Sequence, residues 1–204
     1  MAEQNSLPRL QAFRKKLARY VTQPVIALLV KTRATPNALT VLSALITVVA
    51  GVLIATHHPI VGGVVVLFAS VFDILDGALA RATSRVTKFG AALDSTLDRL
   101  AEGILFVALV WFFSDKGSPV GAGLAGVAMI TSFLVSYARA RAEGLGLQCQ
   151  VGIFTRSERI ILLVLGLLLS GFGFVLPSVL IIIIVFSSIT AGQRLFLVWQ
   201  KTRG

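Results

Sequence analysis

A chain of 204 residues, 56% hydrophobic and only 14% charged, with a mean hydropathy of +0.88, is not an ordinary soluble domain, where about half the residues are apolar and roughly a quarter charged. The balance points to a polytopic, all-α integral membrane protein built as one domain. The net charge of +10 leaves two classes of partner, nucleic acid or the anionic lipid and phosphate of a membrane surface; the single cysteine, Cys149, excludes an intramolecular disulfide framework.

The first 20 residues are polar and basic, without the short apolar core of a secretory signal. Leu10, Phe13, Leu17, Tyr20 and Val21 recur there at helical spacing, with Arg9, Arg14, Lys15, Lys16 and Arg19 between them. That pattern predicts an amphipathic helix lying in the membrane interface. Residues 1–34 are therefore expected to form a cytoplasmic juxtamembrane segment, and 35–204 a transmembrane domain. Six apolar stretches follow, at about 37–56, 60–82, 88–113, 119–142, 157–174 and 177–198, each near the length that crosses hydrocarbon. His57-His58-Pro59, Ser114 to Gly117 and Gly171-Phe172-Gly173 punctuate them,.

With six spans, both termini and the loops 83–87 and 143–156 share one side, and of the 19 Lys and Arg only Lys116 falls opposite. The positive-inside rule makes that side cytoplasmic, and the plasma membrane is the expected location. Charge spread along a membrane face also argues against a nucleic-acid partner, so none is expected.

Four of the nine acidic residues fall within 26 positions. Asp73 and Asp76 stand three apart near the cytoplasmic end of the second span. Asp94 and Asp98 stand four apart near the start of the third. Both spacings place a pair on one helix face, and the short turn between the spans makes them antiparallel neighbours. Clustered carboxylates at that depth are costly unless protonated or compensated by cations. Hard divalent ions such as Mg²⁺ or Mn²⁺ suit an all-oxygen set. Gly77, Ala78, Ala80, Gly90, Ala91 and Ala92 leave room for close helix packing and a bulky ligand beside the acids,.

The string from Asp73 to Asp98 reads D-x2-D-G-x2-A-R-x8-G-x3-D-x3-D, with all eight fixed positions filled. It resembles the signature of the CDP-alcohol phosphotransferases, membrane enzymes with six transmembrane helices and usually a dimeric state. The resemblance implies transfer of a phosphatidyl-type group from a CDP-linked lipid to an alcohol, with release of CMP. It implies that Asp73, Asp76, Asp94 and Asp98 hold two divalent ions and that Asp98 is also the general base on the acceptor hydroxyl. It further assigns donor contacts to Gly77, Arg81, Thr87 and the string Thr35-Pro36-Asn37-Ala38-Leu39-Thr40, with Thr35, Pro36, Asn37 and Ala38 as the expected contacts. A homodimer is the expected assembly.

Acceptor recognition is read from the basic residues on the same side. Ser136, Arg139 and Arg141 close the fourth span, Arg156 opens the fifth, and Arg194 lies late in the sixth. Forked donors near a metal site suit an acceptor that carries a phosphate, and Ser136, Arg139, Arg156 and Arg194 are the expected phosphate contacts. The strings S-Y-x-R-A-R-A-E, R-x-E-R and Q-R-L-x-x-V-W resemble the phosphatidylinositol phosphate synthase branch, departing from it at Arg139, where lysine is common. That branch implies CDP-diacylglycerol as donor and 1D-myo-inositol 3-phosphate as acceptor. Glycerol 3-phosphate, giving phosphatidylglycerophosphate, is the alternative within the family. An ion or proton transporter is the alternative from another class, motivated by intramembrane carboxylates alone.

Overall fold

The computed structural model describes residues 28–30 and 35–203; the expected interfacial helix over 9–21 lies outside them. Residues 28–30 are helical. Six helices follow: α1 (Pro36–Ala55), α2 (Pro59–Ala82), α3 (Lys88–Asp115), α4 (Pro119–Gly144), α5 (Arg156–Leu168) and α6 (Val175–Thr202). There is no strand among the described residues.

The helix starts follow from local chemistry. Thr35, Thr87 and Ser118 each turn a hydroxyl onto the amide three residues on, at 3.3, 2.9 and 3.3 Å. Each thereby satisfies a donor that the first turn leaves open. Pro36, Pro59 and Pro119 occupy first positions, where no amide hydrogen is needed,. At α5 the Thr155 amide and hydroxyl both donate to the Glu158 carboxylate. His57 and Ser84 take positive φ, 65° and 53°, in the turns after α1 and α2. His57 Nε2 also meets Asp115 Oδ2 at 2.6 Å.

α1, α2, α4 and α6 are long and apolar enough to cross a membrane, and the protein is a multi-pass membrane protein. α3 has the length, 28 residues, but carries Asp94, Asp98 and Arg99 in its first half and Glu102 at its middle. The fifth expected span is corrected: helix runs only over Arg156–Leu168, 13 residues, not through 174. At 1.5 Å per residue that is about 20 Å, short of a ~30 Å hydrocarbon core. Ser170, Gly171 and Gly173 stop it, because residues this small and flexible stabilise turn over helix. Pro177 then falls in the first turn of α6, where it is tolerated, and α6 begins two residues earlier than expected,. Large apolar side chains such as Val52, Phe68, Trp111, Ile161 and Phe186 are exposed, as a chain solvated by lipid rather than water requires.

The residues divide into two compact units, one holding those up to Ser43 with Ser70–Thr96, the other Ala44–Ala69 with those from Leu97 on. In the first, Leu39, Leu75 and Leu79 form a small core beside Phe72. In the second, Leu105, Phe106, Leu109, Leu163, Leu167, Leu180 and Ile183 form a larger one. Small residues let the helices of the second unit close up. A Cβ at Gly51 would meet Ile104 Cγ2 at 2.7 Å, and one at Gly166 would meet Val179 at 3.1 Å,.

Candidate active site

In the first unit α2 presents Asp73 and Asp76 one turn apart, and α3 presents Asp94. One carboxylate oxygen from each lies within 4.8 Å of the others. Asp76 is 5% exposed, because the adjacent Leu75 and Leu79 pack inward against Leu39. The Thr40 hydroxyl donates to its Oδ2 at 2.7 Å. The Pro36 carbonyl, at 3.1 Å, is that hydroxyl's other acceptor.

A cleft of about 300 Å³ opens over Asp76 and Asp94, lined also by Pro36, Asn37 and Thr40 from α1, Gly77 and Arg81 from α2, Arg85 and Thr87 from the turn, and Gly90 from α3. Two glycines shape it. A Cβ at Gly77 would lie 3.3 Å from Arg81 Nη1, so the bare backbone lets the guanidinium fold back over the helix. A Cβ at Gly90 would sit 3.0 Å from Thr87 Oγ1 and 3.1 Å from Asn37 Oδ1, so glycine keeps the mouth of the cleft open. Of the expected donor contacts, Pro36, Asn37, Gly77, Arg81 and Thr87 line this cleft. Thr35 caps α1 through the Ala38 amide.

Asp98 belongs to the second unit, one turn beyond Asp94 along α3. Its Oδ1 lies 2.9 Å from Arg156 Nη2, with the two side chains 16% and 29% exposed. Arg139 is exposed and pairs with Glu143 one turn on, at 2.8 Å, and Ser136 is half-buried. Arg194 is 4% exposed. Its Nε donates to the Val151 carbonyl at 3.0 Å and its Nη1 to the Val135 carbonyl at 2.6 Å. Two of its three nitrogens therefore bind main chain, tying the segment before α5 to α6 and to α4.

A family model described as CDP-alcohol phosphatidyltransferase matches residues 33–196. The chain belongs to that family. It is 39% identical over 182 residues to a phosphatidylinositol phosphate synthase of Mycobacteroides abscessus, covering 86% of this chain and 82% of that protein. Its fold is similar to the phosphatidylinositol phosphate synthase of Mycobacterium tuberculosis solved with CDP-DAG bound, with a TM-score of 0.81 and 34% identity over 88% of this chain and 94% of that one. The same enzyme solved with manganese and citrate matches at a TM-score of 0.80 and 34% identity, over 87% and 88% of the two chains. Membership of a transferase family sets aside the transporter alternative.

The acids of this family member suit a divalent cation on chemical grounds. Three aspartate oxygens converge, and an all-oxygen, anionic set favours Mg²⁺, Mn²⁺ or Ca²⁺ over softer metals.

Three site features went beyond the sequence reading. Thr40 closes the string read as donor-contacting at the start of α1, but its bond to Asp76, 36 residues away, was not legible. Arg85 lines the cleft from a loop without regular spacing. Glu102 and Arg159 form a buried salt bridge, Nε to Oε1 at 2.6 Å and Nη2 to Oε2 at 2.9 Å. The available signal was a pair of charge ladders, Asp98 and Glu102 on one helix and Arg156 and Arg159 on another.

Proposed function

We propose that this protein transfers the phosphatidyl group of CDP-diacylglycerol to 1D-myo-inositol 3-phosphate, releasing CMP and forming phosphatidylinositol phosphate. The observation that carries the reading is the convergence of Asp73, Asp76 and Asp94, two of which, Asp76 and Asp94, line a cleft with Asn37, Gly77, Arg81 and Thr87. Gly77 admits the cytidine nucleotide to the backbone, and Arg81 and Asn37 hold its polar edges. Asp73, Asp76, Asp94 and Asp98 hold two divalent ions, Mg²⁺ or Mn²⁺, which neutralise pyrophosphate charge when bound. Asp98 takes the proton of the acceptor hydroxyl. The freed oxygen forms a bond to the lipid-side phosphorus as the bond from that phosphorus to the CMP oxygen breaks, so CMP leaves with the electron pair. Ser136, Arg139, Arg156 and Arg194 receive the acceptor phosphate. Arg156 brings the strongest support, since its guanidinium already holds Asp98 and a forked donor suits phosphate as well as carboxylate.

The proposed setting is a homodimer in the plasma membrane. Six crossings, α3 and the stretch formed by the short α5 with the turn residues 169–174 among them, leave both termini and the active site cytoplasmic, with residues 1–34 as an interfacial amphipathic segment. Supporting this are the parity of the connections and the basic residues on one side,.

The deciding experiment incubates purified protein with CDP-diacylglycerol, Mg²⁺ or Mn²⁺, and each acceptor separately. CMP release with inositol phosphate is expected. Release with glycerol 3-phosphate but not with inositol phosphate would overturn the acceptor assignment.

A further inference from the structure

Glu102 of α3 and Arg159 of α5 are each 1% exposed and are joined by two hydrogen bonds. Asp98 and Arg156, on the same two helices, are joined at 2.9 Å. Four residues separate the acids and three separate the arginines, so the two pairs are successive rungs between α3 and α5.

One donor of this rung is left over: Arg159 Nη1 is buried without a hydrogen-bond partner.

Such a pair does not exist for stability. A buried ion pair is no better than well-packed apolar residues of the same volume, and unpaired buried donors are unfavourable. What it supplies is direction. Away from the two rungs, the surfaces of α3 and α5 are aliphatic and aromatic side chains such as Leu105, Leu109, Leu163 and Leu167, which define axial register weakly. A planar guanidinium bound at two points by one carboxylate defines both axial position and rotation. A slip of one residue moves a side chain by about 1.5 Å and 100°, enough to lift Arg156 off Asp98.

We propose that Glu102 and Arg159 are a positioning pair that keys the register of α5 on α3 and so aligns Arg156 with Asp98 for acceptor recognition. The inference rests on the reaction proposed above. Its test compares wild-type protein, the apolar pair Glu102→Leu/Arg159→Leu, the exchanged pair Glu102→Arg/Arg159→Glu, and Arg156→Gln in the wild-type and apolar-pair backgrounds. CMP release is measured against CDP-diacylglycerol and inositol phosphate in turn, with the melting temperature recorded for each. The apolar pair is expected to melt at or above wild type and to keep its donor KM. Its acceptor kcat/KM falls at least about 10-fold, since small misplacements of a binding group have effects of that order. The exchanged pair recovers part of the loss, and Arg156→Gln has less effect in the apolar-pair background than in wild type. Wild-type acceptor kinetics in the apolar pair would overturn the inference. So would a melting temperature that falls while donor and acceptor constants worsen together, or a fully additive Arg156→Gln. Wild-type protein that releases no CMP with inositol phosphate overturns the reaction itself, and the inference with it.

Discussion

In the first unit Asp73, Asp76 and Asp94 bring one oxygen each within 4.8 Å of the others, whereas in the second Glu102 places both oxygens on the single guanidinium of Arg159. Both arrangements hold carboxylates in an apolar protein, and the electrostatics differ in sign. Three like charges at that separation repel, and neutrality has to be supplied by cations or protons. The Glu102–Arg159 pair is neutral within the chain. An arrangement that is incomplete without a bound partner is suited to chemistry, and one that is complete in itself is suited to fixing geometry. The same distinction separates Arg81, folded over Gly77 beside an open cleft, from Arg194, two of whose nitrogens bind main-chain carbonyls.

The largest effect expected from this contrast is at Asp94. Asp94→Asn removes one charge from the cluster and is expected to lower CMP release by at least about 10³-fold, the scale of losing a principal electrostatic contact in a transition state. Mn²⁺ binding, read by calorimetry, weakens with it. The metal-free variant melts at or above the wild-type temperature, because a source of repulsion has gone. A marked fall in melting temperature without metal would break the comparison, since the cluster would then be stabilising on its own. At Glu102 the expectation reverses. Glu102→Gln leaves the Arg159 charge buried without its counter-ion and is expected to destabilise the protein by about 3–5 kcal/mol. Thermal melting measures this, and the deficit should be the same with and without Mn²⁺. A deficit that metal relieves would mean that Glu102 belongs to the ion-binding set.

How far the sequence carried the reading depends on how local each feature was. The helices were legible because their apolar runs and the Thr35-Pro36 and Ser118-Pro119 starts are continuous in the chain. The acids were legible because a spacing of three or four residues on one helix is itself a statement about geometry. The end of α5 was misjudged because Leu169, Phe172 and Phe174 extend the apolar run, while Ser170, Gly171 and Gly173 end the helix. The Glu102–Arg159 pair was out of reach for another reason. Fifty-seven residues separate its partners, and nothing local says which arginine faces which acid. Arg194 shows the same limit: its isolation in an apolar run was visible, but its two carbonyl partners lie in loop and helix residues that carry no side-chain signal.

The smallest effect tests the comparison at its finest point, a neutral hydroxyl beside the acid cluster. Thr40 has one proton and two acceptors, the Pro36 carbonyl at 3.1 Å and Asp76 Oδ2 at 2.7 Å. The shorter bond goes to the charged acceptor, as charge-assisted hydrogen bonds do. That bond orients the Asp76 carboxylate within the acid cluster. Thr40→Val preserves the shape and removes the proton, and it is expected to weaken Mn²⁺ binding by about 10-fold, the lower end of what an outer-shell partner of a metal ligand contributes. Thr40→Ser, which keeps the hydroxyl, should restore most of it. Calorimetric titration of Mn²⁺ into both variants checks this without relying on turnover. Equal affinities in the valine variant and the wild type would mean that the bound ion orients Asp76 without help, and that α1 contributes to the cleft only as a wall.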